Sequence, residues 1–155
     1  MRKRVSKQSQ EANAQDTNDW LDLEQLAQVE VTSEDSAYPV EAALLPGLES
    51  GWRAGEPGEQ RIRLLFDDPQ TLRRILLVFE VAETRTQEFV LRWSAPSGET
   101  HEIVRQQYNF SVGGTAQEVE DYKVSLEGVE VLELAITPDI SGGEARASLE
   151  RLRLA

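Results

Sequence analysis

Ser36-Ala37-Tyr38-Pro39-Val40-Glu41-Ala42-Ala43-Leu44-Leu45 leads through a short loop to Gly51-Trp52-Arg53 and then to Glu56-Pro57-Gly58-Glu59-Gln60-Arg61-Ile62-Arg63-Leu64. In order, these residues read as a compact turn-like segment, a tryptophan, a Pro-Gly turn and an alternating strand. Proline fixes φ and glycine accepts φ > 0, so Pro57-Gly58 marks a reversal. Arg61 to Phe66 then alternates polar and apolar with the period of two that belongs to a half-buried strand. Trp52 stands between loop and sheet. It has two placements there, a plug of the interior or an exposed stacking platform.

The same period recurs along the chain: Gln28–Thr32, Arg61–Phe66, Leu72–Val81, Glu88–Trp93, Glu102–Gln107, Glu118–Leu126, Val129–Ile136 and Ala147–Leu154. Turn chemistry separates many of them, at Asp67-Asp68-Pro69, Ala95-Pro96-Ser97-Gly98, Gly113-Gly114, Glu127-Gly128 and Ser141-Gly142-Gly143. Long helical periodicity is missing. Eight short strands at this spacing predict an all-β fold, an eight-stranded antiparallel β-sandwich or jelly roll. The alternation slips phase between Val131 and Leu132, which predicts a bulge there if Leu132, Leu134 and Ile136 face the core.

Composition bounds the rest. The 155 residues make about one domain. Residues 1–18, rich in Gln, Ser, Asn and Asp, have too little apolar surface to offset the entropy of ordering, so a disordered tail is expected there, with residues 19–155 forming the sandwich. Trp20-Leu21-Asp22-Leu23 reads as a short amphipathic piece docked on the domain. With no cysteine and one histidine, disulfides and imidazole-rich metal sites are excluded, and no metal or cofactor is expected. A net charge of −12 disfavours nucleic acid and anionic membranes as partners, because both draw affinity from lysine and arginine. Ten carboxylates and no cation lie between residues 11 and 52. Met1-Arg2-Lys3-Arg4 is not followed by the apolar run of a signal peptide, so a cytoplasmic location is expected.

Strand order also locates a candidate face. With eight antiparallel strands, connections one, three, five and seven (33–59, 84–86, 108–115 and 137–146) fall at one end of the sandwich, and three of them are the longest in the chain. Binding residues concentrate on loops held by a rigid scaffold. This end gathers Trp52, Arg53, Glu56, Arg85, Tyr108, Asn109, Phe110, Asp139, Ser141 and Arg146. Aromatic faces beside amides and bidentate donors suit a sugar, which offers an apolar C–H face and a rim of hydroxyls. The same set suits a peptide, and Arg53 and Arg146 also serve as partners for the surplus carboxylates.

No catalytic constellation stands out. Gly113-Gly114 and Gly142-Gly143 lack the spacing and lysine of a phosphate loop, and no Gly-x-Ser-x-Gly elbow is present. Pairs such as Asp67-Asp68 or Glu120-Asp121 arise by chance among 28 acids. A non-enzymatic role is expected.

Ala43-Leu44, Ser50 and Trp52 resemble the segment after the first strand of galactose-binding-like β-sandwiches, the superfamily of discoidin (coagulation-factor C-type) domains and many carbohydrate-binding modules. That resemblance implies recognition of a glycan by loops at one end. In relatives with structural calcium an Asp stands where this chain has Leu45, and a Glu of the last strand, matched by Glu150, supplies a second carboxylate. Calcium takes roughly six to eight oxygens, so leucine argues against that site. Ser33-Glu34-Asp35-Ser36, Glu41, Leu44-Leu45, Trp52-Arg53-Ala54 and Pro57-Gly58-Glu59 are similar to the N-terminal domain of the eukaryotic single-strand-break-repair scaffold, which binds a DNA polymerase. Residues 20–155 also look like a bacterial group described only as carbohydrate-binding-like or discoidin-like. The expected function is therefore a non-catalytic module binding a glycan, with an intracellular protein-interaction domain as the alternative.

Overall fold

In the computed structural model, residues 20–48 and 50–155 are described; the tail expected over residues 1–18 lies outside them. Two single helical turns, α1 (Leu23–Leu26) and α2 (Glu41–Leu44), accompany eight strands: β1 (Ala27–Val31), β2 (Trp52–Arg53), β3 (Gln60–Glu80), β4 (Arg85–Ser94), β5 (Thr100–Phe110), β6 (Gln117–Thr137), β7 (Ser148–Leu149) and β8 (Arg151–Leu154). The fold is an antiparallel β-sandwich.

The count of eight survives, but with different members. Asp67-Asp68-Pro69 and Glu127-Gly128 are not turns between separate strands. Each lies inside one 21-residue strand, β3 or β6, that serves both layers. The first part of β3 pairs with β1 and with the last part of β6, which also pairs with β4, and β4 with β5. The second part of β3 pairs with the first part of β6 and with β8. Between the parts the register slips at Leu65/Gln70, Gln70/Leu72 and Leu72/Arg74. These irregularities move the inward face of β3 from Ile62, Leu64 and Phe66 to Ile75, Leu77 and Phe79. Pro69, which has no N–H to give to a ladder, sits at the slip.

The phase slip of β6 falls there too. Leu64↔Leu132 and Leu65↔Val131 pair regularly, so no bulge lies between Val131 and Leu132; the irregularity is between Val131 and Val129 and is taken up by the partner strand. The last strand is also divided, with β7 pairing β2 and β8 pairing β3.

The core lies between the layers, where Phe79 of one meets Phe89 of the other with ring centroids 5.3 Å apart. Leu132, Leu134, Ile136, Leu91, Leu152 and Leu154 complete it. The amphipathic piece at the start docks as expected: the Leu21 amide donates to the Leu154 carbonyl at 2.7 Å, Leu23 is buried, and the Arg74 guanidinium lies 4.7 Å from the Trp20 ring centroid. No helix among the described residues is long and apolar enough to cross a membrane.

Candidate functional site

The long connections meet at one end of the sandwich. The Val112 amide donates to Thr84 Oγ1 at 3.1 Å, the Ile140 amide to the Thr86 carbonyl at 2.9 Å, and the Val81 amide to the Ala116 carbonyl at 2.9 Å. The connection from β1 joins them through Gly58, whose amide donates to the Ala145 carbonyl at 3.2 Å.

Two of the expected contact residues are not available to a ligand. Trp52 is 1 % exposed and donates its indole N–H to the Ser33 carbonyl at 3.1 Å. Its ring takes the interior placement because β2 pairs with β7 over the core, and a strand residue facing inward there must fill space between the layers. Phe110 is also 1 % exposed, at the inward end of β5, with its ring centroid 4.9 Å from that of Tyr108. Both belong to the scaffold, and their assignment as ligand contacts is corrected.

Arg85 is nearly as enclosed, at 7 % exposure. Its Nη1 donates to Glu83 Oε1 at 2.8 Å. Burial holds its pKa below the ordinary arginine value, Glu83 and Asp139 oppose that, and Arg53 adds to the depression. Arg53, Glu83, Arg85 and Asp139 therefore share one electrostatic neighbourhood. Asp139 is held below the usual carboxylate range, first by the hydroxyl of Ser141 at 2.8 Å, then by the Ser141 amide at 3.1 Å and by Arg85.

The exposed part of this end is smaller than the sequence suggests. Arg53 is exposed and stacks its guanidinium 4.4 Å from the centroid of the Tyr38 ring. Asn109 is exposed and accepts the Thr86 hydroxyl proton at 2.6 Å. Tyr108 is half-buried, its hydroxyl donating to the Gln117 carbonyl at 3.1 Å. Glu56 and Arg146 are exposed on a neighbouring pair of loops joined at the Gly58–Arg146 bridge. Tyr38 was not among the sequence candidates; its carbonyl accepts the Arg53 amide at 3.2 Å and its ring lies against the Arg53 guanidinium.

A second feature lies beneath these loops. Glu118, Glu120 and Tyr122 of β6 stand opposite Phe79, Leu77 and Ile75 of β3 and face the interior with them. Glu118 is 1 % exposed, and as a carboxylate neither of its oxygens has a partner. Burial, then the hydrogen-bonding and charge of Glu120, push its carboxyl up to about 9. At neutral pH Glu118 is therefore a neutral acid, and its proton gives it Glu120 as a partner. Burial and Glu120 also raise the Tyr122 phenol, which donates to Glu120 Oε1 at 2.9 Å. Gln87, on the inward face of β4, is 1 % exposed with neither amide atom partnered.

Leu45 packs against the core, and no group of three or more His, Cys, Asp or Glu residues suited to a metal occurs among the described residues. Glu150 approaches Gly51 so closely that a Cβ there would lie 3.1 Å from its Oε1.

No protein-family model matches the chain, and no curated protein matches it significantly. Solved structures do. A family 32 carbohydrate-binding module of Clostridium perfringens NanJ, in complex with galactose, superposes with a TM-score of 0.63 at 13% identity over 87% of this chain and 96% of that one. A pectin-binding carbohydrate-binding module gives 0.59 at 18% over 84% and 90%. Reduced XRCC1 bound to the catalytic domain of DNA polymerase β gives 0.62 at 12% over 84% and 95%. The chain thus shares the galactose-binding-like β-sandwich fold of these proteins.

Proposed function

We propose that this galactose-binding-like sandwich is a non-catalytic recognition module that binds a carbohydrate at its loop end. The observation that carries the proposal is the Arg53 guanidinium stacked on Tyr38 at 4.4 Å, within the electrostatic neighbourhood of Asp139 and Arg85. Such a group offers a planar fork of donors, a fixed carboxylate acceptor and a partly apolar ring edge, which together match the hydroxyl rim and C–H surface of a sugar. Asn109, Glu56 and Arg146 extend the polar surface, while Trp52 and Phe110 hold the loops from below. The likeness to modules solved with galactose and with unsaturated mannuronic acid supports a sugar as the ligand class. A glycan array probed with wild type and Arg53→Ala tests it: sugar hits lost on substitution support the proposal, and no hit at millimolar sugar overturns it.

A protein partner at the same end is favoured by Val112 and Ile140, 73% and 50% exposed on adjoining loops. Co-purification from the native host, with loss of the partner on Val112→Asp, tests that alternative.

A further inference from the structure

The outward face of the second layer carries charge opposite in sign to the chain as a whole. Arg153 and Arg151 of β8 stand beside Leu76 and Val78 of β3, which stand beside Asp121 and Val119 of β6. One step along, Arg74 pairs with Lys123. Leu152, Leu77 and Glu120 alternate with these positions and face the interior, so this set faces out. Four cations thus collect on one three-stranded face of a protein of net charge −12.

The acids on that face neutralise only part of this charge. Asp121 is taken by Arg74, which donates from Nε at 2.9 Å and Nη2 at 2.8 Å. Glu80 accepts from the Gln117 amide at 2.8 Å. Arg153 gives its Nη1 to the Ala43 and Leu152 carbonyls, and burial and the adjacent Arg151 depress its pKa with no carboxylate opposing them. Lys123 acts on Asp121 at a distance, and neither it nor Arg151 makes an ion pair among the described residues. Arg151 and Arg153, two positions apart on β8, are like charges held side by side in a chain where carboxylates outnumber cations 28 to 16, a local field left open. Alongside them runs an apolar strip of buried Val78, half-buried Leu76 and exposed Val119, the last at 56%.

We propose that this face docks an acidic segment of a partner protein, its carboxylates on Arg151, Arg153 and Lys123 and an apolar side chain on Val119. The apolar strip favours a peptide, which carries both kinds of group, over a polyphosphate. A second copy of the chain is disfavoured because two bodies of charge −12 repel. The face is separate from the loop end, so this site stands or falls independently of sugar binding.

The test is fluorescence anisotropy of a fluorescein-labelled Glu-Glu-Leu-Glu-Glu-Leu-Glu-Glu peptide with the full chain at about 50 mM salt, where screening is weak. Lys123→Glu combined with Arg151→Glu changes two exposed side chains and leaves Arg153 on its carbonyls; an unchanged thermal midpoint verifies folding. The expected result is saturable binding that weakens roughly tenfold in the double variant and again at high salt. No binding by wild type, equal binding by the double variant, or equal binding of a lysine-for-glutamate peptide overturns the proposal. Binding to phosphatidylserine vesicles without binding to the peptide also overturns it, assigning the face to a membrane.

Discussion

The indole N–H of Trp52 meets the carbonyl of Ser33 at 3.1 Å, and the hydroxyl of Ser33 in turn meets buried Gln60 Oε1 at 2.7 Å. Gln60 also accepts the Thr32 hydroxyl proton at 2.6 Å, and the Ser33 oxygen accepts the Gly55 amide at 2.9 Å. One tryptophan thereby ties the end of β1, the loop after it and the start of β3 into a single polar network under the loop end.

Trp52→Phe removes the donor and leaves the Ser33 carbonyl without it. The expected cost is about 1–3 kcal/mol, seen as a lower urea midpoint, with no selective effect on ligand affinity in the folded fraction. A variant of full stability with lost binding would return Trp52 to the role of ligand platform.

Gly55 cannot carry a side chain without movement. A Cβ there would lie 2.8 Å from the Glu34 carbonyl oxygen, backbone that is itself pinned through the neighbouring Ser33. Gly55→Ala is expected to destabilise by about 1–3 kcal/mol in chemical denaturation. Gly58→Ala at the outer turn meets no such neighbour but has φ of 91°, so its cost comes from backbone strain alone, about 1 kcal/mol.

Glu118 makes stability depend on pH. Its folded-state carboxyl is raised from an ordinary 4.5 to about 9, so the folded chain binds a proton that the unfolded chain releases. That contribution is fully present below about pH 4.5 and is lost as pH rises towards 9. Urea unfolding at pH 5, 7 and 9 is expected to show falling stability for wild type and a flatter profile for Glu118→Gln. Glu118→Gln is also expected to be the more stable of the two at neutral pH and above. Parallel profiles would show that Glu118 is ionised in the fold.

The strands were legible in the sequence because each puts apolar side chains on one face at a period of two; the loop cluster was reached by a parity count that took Asp67-Asp68-Pro69 and Glu127-Gly128 as connections between strands. The layer crossings were not legible: Asp67-Asp68-Pro69 and Glu127-Gly128 have turn chemistry, yet hydrogen bonding with the neighbouring strands carries β3 and β6 through them. Trp52 and Phe110 were ambiguous because a local pattern does not say whether an aromatic at a strand end has a core to enter. Glu118 had a visible signal, since it shares its phase with Tyr122, Val124 and Leu126; its charge argued against burial, and only the pairing with Phe79 settles it. Tyr38 acquires meaning only with Arg53 above it.

The proposed sugar rests at the loop end on Arg53 and its neighbours, and a titration of the 15N-labelled chain with an array-positive sugar, followed by backbone and side-chain amide shifts, tests that placement. Shifts confined to Tyr38, Arg53, Thr86, Asn109 and Asp139, and abolished by Arg53→Ala, are the predicted result; shifts centred elsewhere, or unaffected by Arg53→Ala, would contradict it.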